Sequence, residues 1–187
     1  AYLKCHYLPE FMAATMNSML SSTNKIAGYI NYCKKHGIRL LPPDVSRSSV
    51  GFTVEADGIR FGLGAIKNVG IGAIEAIIDG RRDGAYTDFF DFCQRVSSEA
   101  LNKRCVESLI LAGAFDGTGA RRAQLLTVYE SYLDSAAADR KKNIAGQVSL
   151  FDALDDVAAA AKPKLPDIPE QSLEMLLKWE KDMMGIY

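Results

Sequence analysis

The sequence is short of nearly everything that marks a membrane protein, a secreted protein or a self-contained enzyme. No apolar run approaches the roughly 20 residues that cross a bilayer, and the amino end has no signal-peptide pattern. Neither a membrane partner nor export is expected. There are two isolated histidines, His6 and His36, and four widely spaced cysteines, Cys5, Cys33, Cys93 and Cys105, with no C-x-x-C pair. That spacing argues against a zinc site and predicts the reduced thiols of a cytoplasmic protein. No glycine loop ends in Lys-Ser or Lys-Thr, so a Walker-type nucleotide site is excluded. No carboxylate pair suits two-metal chemistry, and Asp155 and Asp156 lie in an alanine-rich stretch where they read as solvated charge. No catalytic residue, metal or cofactor is expected in this chain.

An excess of one charge is lacking as well: the net charge is −1. Its distribution is uneven. Residues 1–150 carry 18 Lys and Arg against 15 Asp and Glu, and residues 151–187 carry 4 against 8. A mildly basic body with an acidic tail fits a backbone-binding region followed by a segment with another task.

What is present centres on Val69-Gly70-Ile71-Gly72. Two short helical patterns meet there, and glycine on both sides of Ile71 permits a sharp turn. The second helix would begin with free backbone N–H groups, which together with the helix dipole suit a phosphate. Ile66, Val69, Ile71, Ile74, Ile77 and Ile78 are placed to hold the two arms together, and Lys67, Arg81 and Arg82 add positive charge. This is the pattern of a helix-hairpin-helix, which grips a nucleic-acid backbone without reading its sequence. The competing reading is that the glycines only let two helices pack closely.

Upstream, helices are expected over Pro9–Leu20 and from Ser22 or Thr23 to about Lys35, with Gly37 as the stop. The stretch Ile38–Val45 should be extended because of Pro42 and Pro43. Phe52–Glu55 and Ile59–Phe61 alternate as a hairpin about Ala56-Asp57-Gly58. Downstream the device recurs in architecture, though not in sequence. A helix over Ser98–Leu111 is followed by the glycine-rich turn Ala112–Gly119 and a helix from near Arg121 to Ala136. Lys103, Arg104, Arg121 and Arg122 flank that turn, which contains Gly113; its glycines could equally be mere helix stops and the arginines solvated. The fold class expected is mainly α with a small β-hairpin, as a tandem helix-hairpin-helix.

Residues 144–169 read as a linker, rich in alanine and holding Pro163, Pro166 and Pro169. Within it, Gln147-Val148-Ser149-Leu150-Phe151 offers a polar anchor followed by two adjacent apolar side chains, the form of a pocket-docking peptide. Ser172 should cap a last helix through Met184, with Leu173, Leu176, Leu177, Trp179 and Met183 as its buried candidates. The abrupt stop at Ile186-Tyr187 reads as the edge of a longer polypeptide. Two other functions share these features. One is a repair lyase or glycosylase on the same motif, which needs a Lys or Asp facing an extruded base; the other is a helical domain that only binds protein.

Tyr2-Leu-Lys4, Glu10-Phe-Met-Ala-Ala14, Leu41-Pro-Pro-Asp-Val45, Ile59-Arg-Phe-Gly-Leu63 and Ile66-Lys-Asn-Val-Gly70 occur in that order. Phe90-Asp-Phe-Cys93, Asn102-Lys-Arg104, Ala112-Gly-Ala-Phe-Asp116 and Gly146-Gln-Val-Ser-Leu-Phe151 follow. Together they resemble the alpha subunits of bacterial replicative DNA polymerase III over essentially the whole chain. The resemblance implies the end of the fingers region over residues 1–50 and a tandem helix-hairpin-helix over 51–136. A linker over 137–170 and the start of a further helix over 171–187 would follow. It also implies that duplex DNA is one partner, that Gln147–Phe151 docks on the ring-shaped sliding clamp (the beta subunit), and that the rest of the polymerase chain is a third. The parent would be a DNA-directed DNA polymerase using magnesium, with its catalytic aspartates in a palm that precedes this segment.

Overall fold

A computed structural model describes residues 2–20, 22–96, 100–144 and 164–186. Helix α1 (Tyr2–His6) leads into α2 (Leu8–Asn17), which Pro9 opens and which buries Met12, Ala13 and Met16. Helix α3 (Thr23–Lys35) buries Ile26, Ile30 and Cys33 against it. Gly37 stops α3 at φ 74°, and the Ile38 N–H returns to the Cys33 carbonyl, as the sequence predicts.

The expected hairpin forms from β2 (Thr53–Glu55) and β3 (Gly58–Arg60), paired antiparallel with Val54 opposite Ile59. A third strand, β1 (Leu40–Leu41), adds to it in parallel, with Leu40 opposite Ile59. Arg60, buried on this sheet, places Nε on Glu55 Oε1 and Nη2 on Glu55 Oε2, both at 2.9 Å, and gives Nη1 to the Pro42 carbonyl.

The strand then runs against the 48–51 loop. Leu63 and Gly64 donate to the Ser49 and Val50 carbonyls, and a Cβ on Gly62 would lie 2.4 Å from the Gly51 carbonyl carbon. Gly62 is therefore required by backbone contact, and it fixes where the next turn begins.

Helices α4 (Ile71–Gly80), α5 (Phe89–Arg95), α6 (Lys103–Leu111) and α7 (Arg122–Ile144) follow, and α8 (Leu173–Met184) closes the described chain. Phe89, Phe92, Phe115 and Tyr132 cluster at the centre, with Phe92 and Phe115 edge-on at 4.8 Å. One buried cluster runs from Met12 to Met184.

Several boundaries differ from expectation. Helix α6 starts later, because Asn102 Oδ1 accepts from the Cys105 N–H and caps it there; Ser98 lies outside the described residues. Helix α7 passes the predicted end at Ala136 and continues to Ile144. Of the linker expected over residues 144–169, positions 145–163 lie outside the described residues, and 164–169 run against the amino end of α7, with Leu165 packed on the core. Ser172 does cap α8, but Leu173 is 71% exposed and Leu177 is exposed too, while Met184 is the residue that buries.

Candidate nucleic-acid interface

The first glycine turn keeps its predicted place but changes form. Its leading arm is a single 3-10 turn, Leu63–Ala65, not an α-helix, because the backbone pairing with residues 49 and 50 takes up its amides. Ile66 is already extended, and Asn68 takes φ 63°, a left-handed conformation that asparagine tolerates. The Asn68 side chain donates to buried Ser108 Oγ at 3.0 Å, and the Lys67 N–H donates to the Met183 carbonyl at 3.1 Å. These bonds hold the turn against α6 and α8.

Gly70 then stands at the N-cap of α4 with no side chain to accept a hydrogen bond. Ile74 is the first residue of the helix whose N–H finds an acceptor, the Gly70 carbonyl; no described residue accepts from Ile71, Gly72 or Ala73. Four later helices differ: α5, α6 and α8 are capped by Asp88, Asn102 and Ser172, and α7 by Glu170. A Cβ on Gly70 or Gly72 would meet nothing within 4 Å, and neither has positive φ. Close packing between helices is therefore not what these glycines provide. They leave an open, uncapped helix end.

Ile71 does not join the arms as expected. The buried stripe of α4 is Ala73, Ile74 and Ile77, and Ile71 lies roughly 110° round the helix from its middle. It is 64% exposed. Val69 and Ile78 pack at the edge of the core, and Ile66 is buried.

The predicted cations separate into two kinds. Lys67 is exposed, with no side-chain hydrogen bond to a described residue. Arg81 sits at the far end of α4, roughly 15 Å from the turn by helical rise. There its guanidinium donates to the Val45 carbonyl at 2.9 Å and the Ser48 carbonyl at 2.8 Å, and burial draws its pKa below the ordinary arginine value. It braces the 45–48 loop rather than lining the turn. Arg82 pairs with Asp79 at 2.8 Å on the surface.

At the second turn, α6 ends in a Schellman arrangement: Gly113 has φ 80°, its N–H donates to Ile110, and the Ala114 N–H donates to Leu109. Arg122, expected to be a surface cation, is buried. It holds Asp116 through Nε (3.0 Å) and Nη2 (2.6 Å), Glu180 at 2.7 Å and the Leu111 carbonyl at 3.3 Å. Desolvation works against its charge, but the Asp116 and Glu180 carboxylates outweigh it and raise its pKa. A Cβ on Gly113 would lie 2.3 Å from Arg122 Nη2, so that glycine makes room for the guanidinium.

Lys103 bridges Glu130 and Asp134 at 2.9 and 3.1 Å, and Arg121 reaches Asp167 at 3.3 Å and the Ile168 carbonyl at 2.9 Å. Arg104 is exposed. The amino end of α7 is closed by Glu170, whose Oε2 accepts from the Arg122 N–H at 2.7 Å and whose Oε1 accepts from Ala123 at 3.1 Å. Partial burial raises the Glu170 pKa, but the N–H donors of Gln171, Ala123 and Arg122 more than offset it and hold it below the usual value.

Sequence reasoning missed Glu170, Asp116, Glu180 and Asn68. The missing N-cap side chain at Gly70 was visible beforehand; a carboxylate 48 residues from the amide it caps was not. Gln147, Val148, Ser149, Leu150 and Phe151 lie outside the described residues. Among the described residues no three His, Cys, Asp or Glu gather as metal ligands. No described helix is long and apolar enough to cross a membrane.

The family described as a helix-hairpin-helix motif matches residues 37–125, which include both glycine turns. Three relatives named DNA polymerase III subunit alpha align with the whole chain: those of Vibrio cholerae (38% identity), Bacillus subtilis (41%) and Escherichia coli (37%). The chain spans 16% of the length of each. With full-length alignment at this identity and the matching motif family, the chain belongs to the DNA polymerase III alpha subunit family, as the segment that carries the helix-hairpin-helix.

Proposed function

We propose that this chain is a holding module: it grips duplex DNA by the backbone through the first hairpin and tethers the parent polymerase to its sliding clamp. The observation that carries the DNA contact is the amino end of α4, where the Ile71, Gly72 and Ala73 amides have no acceptor among the described residues and a Cβ on Gly70 or Gly72 would meet only open space. Such an end attracts a phosphate oxygen, and glycine lets a backbone approach closely. Exposed Lys67 adds a cation beside it. Phosphate contact positions a protein without specifying sequence, which suits a polymerase that must hold any product. Catalysis, with its magnesium, would belong to other parts of the parent chain. Gln147–Phe151 is the proposed clamp contact, with Leu150 and Phe151 as apolar anchors and Gln147 as the polar one.

Titration with labelled duplex at increasing salt tests the DNA contact. Affinity should fall steeply with salt and little with sequence. Changing Gly70 and Gly72 together to valine should weaken binding whatever the duplex sequence. Unchanged affinity in a folded double variant rejects the assignment. For the clamp, Phe151→Ala should cost roughly 2 kcal/mol or more of clamp affinity and leave duplex affinity intact; equal clamp binding by both chains rejects it.

A further inference from the structure

The two hairpins present the same pair of amides to their surroundings and treat them differently. In the first, the opening amides of α4, Ile71 and Gly72, have no acceptor among the described residues. In the second, the corresponding amides of α7, Arg122 and Ala123, are both taken by one carboxylate, that of Glu170. A single two-oxygen anion held by two successive amides is the geometry in which a helix end receives a phosphate. Here the anion is supplied by the chain itself.

Glu170 arrives on a strap laid across the turn. Gln124 Nε2 donates to the Pro166 carbonyl at 2.7 Å, and Arg121 holds Asp167 and the Ile168 carbonyl. The charge around this helix end is two arginines, Arg121 and Arg122, against four carboxylates, Asp116, Asp167, Glu170 and Glu180. An incoming phosphate is repelled while the strap is down. Lifting the strap removes Asp167 and Glu170 and leaves Arg121 and two amides free.

Leu165, packed on the core, anchors the strap at one end, but the part that bears Asp167 lies on the surface. The Asp167 side chain is fully exposed and its arginine partner half exposed, and ion pairs of this kind contribute little. The buried Arg122–Asp116–Glu180 group, which ties α8 to the turn, does not involve it.

We propose that Glu170 is an internal surrogate for backbone phosphate, so that the 166–170 strap and duplex DNA compete for the amino end of α7. This rests on the duplex-binding function proposed above. With Glu170 bound, one hairpin is open and the other shut; duplex that reaches both must displace the strap.

The test is duplex affinity of the whole chain, measured by fluorescence anisotropy over a range of salt, for Glu170→Ala and Glu170→Gln. The alanine change should tighten binding several-fold. It should also steepen the slope of log affinity against log salt by about 0.9, the increment for one added phosphate contact. Glu170→Gln keeps the side chain's shape and loses its charge, so it should tighten binding in the same direction if the alanine variant fails to fold. Affinity and slope unchanged in the folded glutamine variant overturn the proposal. The Gly70 and Gly72 double variant separates the two failures. If it loses binding while the Glu170 variants match the parent, the first hairpin binds duplex and the surrogate is wrong. Absence of duplex binding by the unmutated 187-residue chain overturns both.

Discussion

Arg122 and Glu180 are 58 residues apart in sequence and 2.7 Å apart in space. Their pairing turns what reads as a surface arginine beside a glycine turn into a buried joint between α7 and α8. Arg122→Met should therefore destabilise the fold by about 3 kcal/mol, since it strands Glu180 and Asp116 without their cation. Glu180→Gln should cost less, about 1 kcal/mol, because Asp116 still neutralises the guanidinium. Denaturant unfolding checks both, and a stability loss for Arg122→Met no greater than for a surface arginine would show the joint to be idle.

The glycines separate by the same logic. Gly113 combines positive φ with a guanidinium 2.3 Å from its missing Cβ, so Gly113→Ala should cost about 1–3 kcal/mol. Gly72 lies in the first turn of α4 with open space around it, and Gly72→Ala should stabilise the helix by about 0.5–1 kcal/mol. Thermal unfolding of the two variants should move in opposite directions.

Lys67 and Arg81 flank one helix and should fail differently. Lys67→Ala is expected to leave unfolding unchanged and to weaken duplex binding, with a salt slope shallower by about 0.9. Arg81→Met removes two bonds to the 45–48 loop and should lower stability by about 1–3 kcal/mol. Paired melting and binding curves distinguish a contact residue from a brace.

Acid should loosen the small sheet. The Arg60 hydrogen bonds, aided by its charge and that of Arg47, hold the Glu55 carboxyl below its ordinary value of 4.5. A depressed folded-state pKa gives stability that is fully present above the unfolded value and lost as pH falls through the folded one. The unfolding midpoint of the parent should therefore decline below about pH 4.5 more steeply than that of Glu55→Gln, which has no proton to gain there. Parallel pH profiles would remove Glu55 from the acid response.

Much of this fold was legible from local pattern. Gly37 as a helix stop, the hairpin at Ala56-Asp57, the Ser172 cap and the position of the first glycine turn all depend on residues close in sequence, and all stand as expected. The misreadings share one cause: each depended on a distant partner. The arm before Gly70 stays a 3-10 turn because residues 49 and 50 pair with it, and Arg81 turns away because Val45 and Ser48 offer carbonyls. Leu173 and Leu177 follow helical periodicity yet stay exposed, and Met184 buries instead. Periodicity identifies a stripe; it does not say whether a neighbour exists to cover it.

Helix α8 fastens both turns at points three residues apart: Glu180 takes Arg122 of the second, and the Met183 carbonyl takes the Lys67 amide of the first. Three residues of helix rise about 4.5 Å. Both turns are thus pinned within one coil of a shared crossbar, and the gap between them is a gauge fixed in advance by the protein's own core. A partner that touches both must conform to that gauge, because closing or opening it would mean unseating α8.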